Sequence, residues 1–473
     1  MKIYNTLTRD KQEFIPMVEG EVRIYTCGPT VYNYFHIGNA RPFITFDTLR
    51  RYLEYKKFKV IFVQNFTDID DKMITQANAE GITVRELADR YIREYYFDAD
   101  KLNIKRSSFQ PRATDCMDEI VEMITILEQK GYAYVAQDGV YFSVEKFEQY
   151  GKLSNYNLDE LEAGASERVS VNDSKKNKAD FALWKFKKEG EPSWESPWGE
   201  GRPGWHIECS AMSRKYLGDT IDIHCGGKDL VFPHHENEIA QSEATTGKPF
   251  VRYWMHNGFI NINNRKMSKS SGNFFTIRDI VQKYSYDAIR FFILSSHYRS
   301  PIDFGNELLE AADTALGRIR NCVDSLEFVT ENRAKISVNF INDDVSSDLE
   351  LEKAIGTAIS NFMDSMDDDL NTADAIAAIF DLVRDANIAI SKDSVSSELL
   401  TQARTVIFEL SNVLGIKATI QESIPHQVAI MAEKRTQAKH QKNFSLADEI
   451  RKQIENSGYT VSDTPSGPKL TKI

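Results

Sequence analysis

From Glu21 onward the apolar residues change their spacing in a regular order. Glu21 to Cys27 reads as a short strand ending in the turn sequence Cys27-Gly28-Pro29-Thr30. From about Ala40 to Lys57 the spacing becomes helical. Val60-Ile61-Phe62-Val63 is then apolar on both faces, the mark of a buried strand. Two further helical stretches fill about Asp70 to Lys101. This order predicts a doubly wound, parallel α/β sheet of Rossmann type, with its chemistry at the carboxyl ends of the strands.

The pattern breaks over residues 115–200. A helix near Asp115–Lys130 leads into a hairpin, Tyr132 to Val144, that turns at Asp138-Gly139. A polar stretch from Gly164 to Asp180 and a Pro-, Gly- and Trp-rich stretch from Glu191 to Gly204 follow. The segment reads as an insertion between two halves of one sheet domain, 1–114 and 201–256. In the second half a helix carries Cys209, a strand covers Thr220 to His224, and another helix begins after Pro233. Residues 257–305 connect, with a lysine-bearing loop near Arg265–Gly272. Residues 306–420 read as a helical bundle, with helices such as Leu308–Val323, Leu349–Met366 and Thr372–Ile390. A small module, 421–473, closes the chain with one clear helix and an irregular tail.

Composition narrows the class. The 473 residues call for several domains, and no run approaches the roughly 18 apolar residues of a membrane span. The N-terminus carries no secretory pattern, so a cytoplasmic protein is expected. Five scattered cysteines without a Cys-x-x-Cys pair argue for reduced thiols. The net charge of −12 argues against broad non-specific nucleic-acid binding, yet allows a local basic face.

Two motifs carry phosphate chemistry. In His36-Ile37-Gly38-Asn39 an imidazole stands at a helix start beside a glycine that lets a flat ligand approach the backbone. Alone, the histidine reads first as a cap of the next helix. In Lys266-Met267-Ser268-Lys269-Ser270 two lysines three apart concentrate charge that can neutralise a leaving pyrophosphate. A third cluster suits a metal. His234 and Glu238 are four apart and share a helix face, and two thiolates would complete a tetrahedral zinc site. Cys27 and Cys209 fall near the sheet's carboxyl rim. Cys225, His235, His206 and His224 are rivals, and spacing does not choose between Cys209 and Cys225.

The motif pair, in this order, resembles the two signatures of class I aminoacyl-tRNA synthetases. Thr26-Cys27-Gly28-Pro29-Thr30-Val31-Tyr32, Asn65-Phe66-Thr67-Asp68-Ile69-Asp70-Asp71-Lys72, Gly204-Trp205-His206-Ile207-Glu208-Cys209-Ser210-Ala211-Met212 and Phe232-Pro233-His234-His235-Glu236-Asn237-Glu238 resemble the cysteinyl-tRNA synthetase family over nearly the whole chain. Two positions depart from it. Asn39 replaces the more common histidine, and Cys225 stands where glycine is usual.

The resemblance implies one zinc ion held by Cys27, Cys209, His234 and Glu238 and bonded to the substrate thiol. It implies Mg-ATP held by Gly28, His36, Gly38, Asn39, Asp229, Lys266 and Lys269, of which His36, Lys266 and Lys269 are catalytic. Thr67 and Trp205 are expected in the cysteine pocket. The expected partners are cysteine, ATP and tRNA(Cys), the last read by the 421–473 module, and a monomer is expected. Zinc–thiolate bonding would reject serine and alanine, so no editing domain is expected. Three rivals remain. A ligase joining cysteine to an amino sugar would lack the tail, and a methionyl-tRNA synthetase would have an apolar pocket with no metal touching substrate. A non-catalytic tRNA-binding paralogue should have lost a signature lysine or a metal ligand, and all are present.

Overall fold

The computed structural model describes residues 1–156, 174–262, 265–266, 275–336, 345–392, 394–419, 426–464 and 467–472. Two compact units are distinguished. The first comprises Met1–Asp313, Asp364–Ala373 and Val413–Gly415; the second comprises Thr314–Met363, Asp374–Asn412 and Ile416–Ile473.

The first unit is built on a four-stranded parallel sheet. The strand Glu21–Thr26 lies inside it, paired with Lys59–Gln64 on one side and with Ile221–Gly227 on the other. Val251–Asn257 completes the sheet beyond Ile221–Gly227. Both faces are apolar, as a parallel sheet between helices requires. Tyr25 and Val63 pack with Ile120, Ile207, Met212 and Ile239 from the helices Met117–Gln129, Trp205–Leu217 and Glu236–Thr246. The alternate residues Val22 and Ile24 face away from that cluster, and the helix Ile37–Tyr55 packs on this sheet too.

The chain leaves Glu21–Thr26 toward one flank and leaves Ile221–Gly227 toward the other. The loops after these two neighbours therefore part and leave a crevice, where doubly wound sheets bind ligands. The parallel sheet expected from the sequence is present. The helix after the first turn starts earlier than expected, at Ile37, because His36 caps it.

The insertion is more ordered than its composition suggests. Ala133–Val135, Gly139–Phe142, Phe181–Phe186 and Gly201–Pro203 form a four-stranded antiparallel sheet in sequence order. The hairpin was legible; the later strands were not, because their partner is set by pairing across a long polar segment. Most of that segment, 157–173, lies outside the described residues.

The loop expected near Arg265–Gly272 begins instead as a short strand. Arg265–Lys266 pairs antiparallel with Ile260–Ile262, which pairs parallel with Ile302–Phe304. Lys269 lies outside the described residues, and only the backbone of Lys266 is described.

The second unit is helical, and its end corrects the expected irregular tail. Helices His426–His440 and Phe444–Asn456 are followed by a hairpin of Tyr459–Thr464 and Gly467–Lys472. Val428, Ala432, Ile450, Ile454, Tyr459 and Val461 form a small core there. Six apolar side chains spread over 34 positions among charges give little periodicity to read. Among the described residues, no helix is long and apolar enough to cross a membrane.

Candidate active site

Cys27 follows the carboxyl end of the Glu21–Thr26 strand and is tied to the neighbouring strand, its N–H donating to the Cys225 carbonyl at 3.4 Å. Gly28 comes next. Its N–H donates to Asn65 Oδ1 at 2.9 Å, and a Cβ there would stand 1.6 Å from the Asn65 carbonyl oxygen. Glycine is thus required for the Cys27 loop to lie against the end of the Lys59–Gln64 strand.

Cys209 comes from the buried face of the Trp205–Leu217 helix, and His234 and Glu238 from the helical turn Val231–His235 and the helix after it. One ligand atom from each of Cys27, Cys209, His234 and Glu238 converges, all within 4.8 Å of one another. The two sulfurs are 3.8 Å apart, and Cys27 Sγ is 3.6 Å from Glu238 Oε1. A tetrahedral zinc with its usual bond lengths puts two sulfurs ~3.8 Å apart and a sulfur and an oxygen ~3.6 Å apart.

His234 strengthens the fit. Its Nδ1 is 2.8 Å from His206 Nδ1, which leaves Nε2 for another partner. That Nε2 is buried, lies 3.1 Å from Glu238 Oε1, and makes no aligned hydrogen bond. A buried ring nitrogen aimed at a carboxylate oxygen and two sulfurs fits a shared cation.

A second grouping, Cys27, His224, His235 and Glu238, meets the same distance criterion. In it His224 Nε2 donates to Glu238 Oε2 at 2.9 Å, whereas His235 Nε2 faces Cys27 Sγ at 3.3 Å while its Nδ1 is 2.8 Å from His256 Nε2. The two groupings share Cys27 and Glu238, and the first alone brings in a second thiol, that of Cys209. Cys225, the sequence rival to Cys209, is fully buried in the Ile221–Gly227 strand and belongs to neither grouping.

The electrostatics agree. Burial opposes charge on Glu238, yet His224 and His234 outweigh it and hold the carboxyl at about 2. Burial likewise opposes the charged form of His234, but Glu238 and Cys209 lift it to about 10. The Cys27 thiol, hydrogen-bonded to Cys209, brings the latter down to about 6 against its burial. Burial pushes the Cys27 thiol well up, and Cys209 adds to the rise. Burial keeps His206, His235 and His256 neutral, with His256 at about 3. The cluster is therefore anionic enough to attract a cation, inside a shell of neutral imidazoles. His256, at the end of Val251–Asn257, escaped the sequence reading; its position at the carboxyl end of a buried strand run was the available signal. Gly226 makes room for His235, since a Cβ there would lie 2.6 Å from the ring.

Beside the cluster, Gly28, His36, Gly38, Asn39 and Asp229 line a cleft of about 350 Å³ that also touches Cys27 and Trp205. His36 caps the Ile37–Tyr55 helix, its Nδ1 accepting from the Asn39 N–H at 3.3 Å. The neutral ring then carries its proton on Nε2, as a donor. Asn39 Oδ1 lies 3.5 Å from the His36 N–H and closes the capping box. The cap reading and the ligand reading of His36 are thus compatible. Trp205, 42% exposed, stacks on His234 with ring centroids 4.3 Å apart. Beyond Trp205, a larger cavity of about 980 Å³ opens toward the insertion, lined by Asp71, Lys185 and Arg202 among others. Thr67 is buried and lines neither cavity; its hydroxyl accepts from the Asn65 amide at 3.4 Å.

A split, doubly wound sheet, a nucleotide-sized cleft over a capped helix and a helical second unit together define the class I aminoacyl-tRNA synthetase architecture. Residues 13–314 match the model described as "tRNA synthetases class I (C) catalytic domain", and 361–419 match the DALR domain. Methionyl-tRNA synthetase from Mycobacterium tuberculosis, bound by methionyl-adenylate, shares the fold at a TM-score of 0.61 and 17% identity, over 90% of this chain and 96% of that one. The "Cysteine–tRNA ligase" of Caldicellulosiruptor saccharolyticus is 55% identical, and that of Clostridioides difficile 52%, each over 100% of both chains. The chain belongs to the cysteine–tRNA ligase family.

Proposed function

We propose that the chain ligates L-cysteine to tRNA(Cys) in two steps through a cysteinyl-adenylate, selecting cysteine by a zinc–thiolate contact. The observation that carries this reading is the convergence of Cys27, Cys209, His234 and Glu238 at the edge of the cleft that holds His36. The cysteine carboxylate oxygen attacks the α-phosphorus of Mg-ATP, the bond from that phosphorus to the bridging oxygen breaks, and pyrophosphate leaves. No general base is needed, because the carboxylate is already ionised. His36, donating from Nε2, and Lys266 and Lys269 stabilise the charge that builds on the phosphates. Gly28, Gly38 and Asn39 shape the cleft, and Asp229 takes a ribose hydroxyl or the substrate ammonium. A terminal adenosine hydroxyl of the tRNA then attacks the acyl carbon and AMP leaves.

Cys27, Cys209, His234 and Glu238 would hold the zinc. When bound, the ion supplies a thiophilic Lewis acid that lowers the thiol's pKa and favours a thiolate far above a serine hydroxyl. This reading assigns Trp205 and Thr67 to the amino-acid side. The cavity beyond Trp205 is roomy enough for the tRNA terminus, with Lys185 and Arg202 on its wall. In the 421–473 module, Phe444 is 61% exposed and stands two positions after Lys442, which suits stacking on an anticodon base. The same reading has residues 115–200 as the connective insertion, 306–420 as the bundle spanning the tRNA, and the chain acting as a cytoplasmic monomer.

Cysteine-dependent ATP–pyrophosphate exchange, run with each amino acid in turn, tests the reading. Exchange is expected with cysteine and not with serine, alanine or methionine. Exchange with methionine but not cysteine would overturn it.

A further inference from the structure

The helix that opens at His36 carries a cation that no carboxylate meets. Arg41 is 1% exposed, and among the described residues no acidic side chain lies within ion-pair distance of it. Its partners are all backbone carbonyls. One terminal nitrogen donates to Phe259 at 2.7 Å; the other donates to Tyr298 at 3.0 Å, to His297 at 3.4 Å and to Ser300. Burial lowers its pKa to about 10, which leaves the group charged at neutral pH.

The carbonyls belong to two segments that matter to the cleft. Phe259 and Gly258 line it. Phe259 also precedes the strand Ile260–Ile262, which pairs with Arg265–Lys266 at the root of the lysine motif. The loop 297–300 precedes Ile302–Phe304, the other neighbour of that strand. Gly258 closes the same joint. Its N–H donates to the Tyr298 carbonyl at 2.8 Å, and a Cβ on it would stand 2.6 Å from the Ser300 oxygen and 2.7 Å from the Arg299 oxygen. A planar fork can reach both segments at once; a lysine offers one point and a methionine none.

We propose that Arg41 is a positioning residue for amino-acid activation, pinning the His36 end of its helix to the Gly258–Phe259 wall of the same cleft. It fixes the spacing between His36 and the Phe259 wall across the cleft and touches neither substrate. The inference rests on the reading of the His36 cleft as the ATP site. A shift of about 1 Å in such a pair is enough for a loss on the order of 100-fold.

The test is steady-state ATP–pyrophosphate exchange on wild type, Arg41→Lys and Gly258→Ala, with zinc content and a thermal melt for each. Absence of exchange in wild type would defeat the ATP-site reading itself. Given wild-type exchange, Arg41→Lys is expected to lose 10- to 100-fold in kcat and to raise KM for ATP, with KM for cysteine and zinc content within twofold of wild type. A kcat within twofold of wild type, or KM for cysteine raised as much as KM for ATP, would overturn the proposal. Should Arg41→Lys fail to fold, Gly258→Ala, which wedges the same joint, decides by the same split: kcat lowered at unchanged KM for cysteine supports the pin, and any other pattern overturns it.

Discussion

Replacing Cys209 by serine isolates one corner of the proposed zinc site. The sulfur of Cys209 stands 3.8 Å from that of Cys27, and its pKa of about 6 makes it the thiolate of the pair at neutral pH. A serine hydroxyl keeps the donor roughly in place but stays neutral and is a hard, weak ligand for zinc. Four-ligand protein zinc sites bind with apparent free energies of about 10–16 kcal/mol, so one ligand in four is worth roughly 2.5–4 kcal/mol. At 1.4 kcal/mol per decade, the zinc Kd should rise on the order of 10²- to 10³-fold. The assay is zinc content after equilibration in a metal buffer, measured beside cysteine-dependent exchange. Cys209→Ser should lose zinc and exchange together, whereas Cys225→Ser, altering a buried thiol outside the cluster, should keep zinc. Unchanged zinc affinity in Cys209→Ser, or its loss in Cys225→Ser, would refute the assignment.

Chelation makes the matching prediction without mutation: 1,10-phenanthroline should abolish exchange, lower the melting temperature, and be reversed by added zinc, since an ion bound to the native state stabilises it by mass action. Gly28→Ala should destabilise the fold by about 1–3 kcal/mol through overpacking and depress exchange at least 10-fold, because its Cβ would overlap the Asn65 carbonyl; urea unfolding and exchange measure both. Asp47→Asn should lower stability by about 3–5 kcal/mol at pH 7, because Asp47 is fully buried between Arg290 at 2.6 Å and Arg51 at 2.8 Å. Burial raises the Asp47 pKa but Arg290 and then Arg51 outweigh it, so its folded value lies below the unfolded one of about 3.9. The contribution is therefore complete above the unfolded pKa and fades as pH falls through the folded one. The gap between wild type and Asp47→Asn should narrow below about pH 4, and a gap constant from pH 7 to pH 3 would refute the linkage.

Part of the sheet was legible, because Val60-Ile61-Phe62-Val63 is an uninterrupted apolar run and the stretch after the first turn has a helical period; the strand Val251–Asn257, with Arg252 and His256 in it, was not read. The helix face shared by His234 and Glu238 was legible too, since spacing of four is a local property. The choice between Cys209 and Cys225 was not. It depends on which face of the Ile221–Gly227 strand meets the Trp205–Leu217 helix, and no local rule carries that. The engagement of His224 with Glu238 and of His235 with His256 was hidden likewise, because both pairings form only when neighbouring strands and helices assemble. The strands Phe181–Phe186 and Gly201–Pro203 and the final hairpin were missed because their partners, not their composition, make them strands.

The cluster's two sulfurs are separated by 182 positions along the chain. During synthesis at about 5–20 residues per second, Cys27 leaves the ribosome roughly 10–40 s before Cys209. Throughout that interval the Glu21–Thr26 strand can pair with Lys59–Gln64 but waits for Ile221–Gly227, so one of its edges stays open. The Cys27 thiol waits as well, without the histidines and the glutamate that later enclose it. The insertion's own antiparallel sheet emerges in that gap and can fold on local pairings. The order of the domains along the gene is thus also a schedule: scaffold first, insertion second, and the thiol–imidazole–carboxylate corner only when the last of its helices arrives.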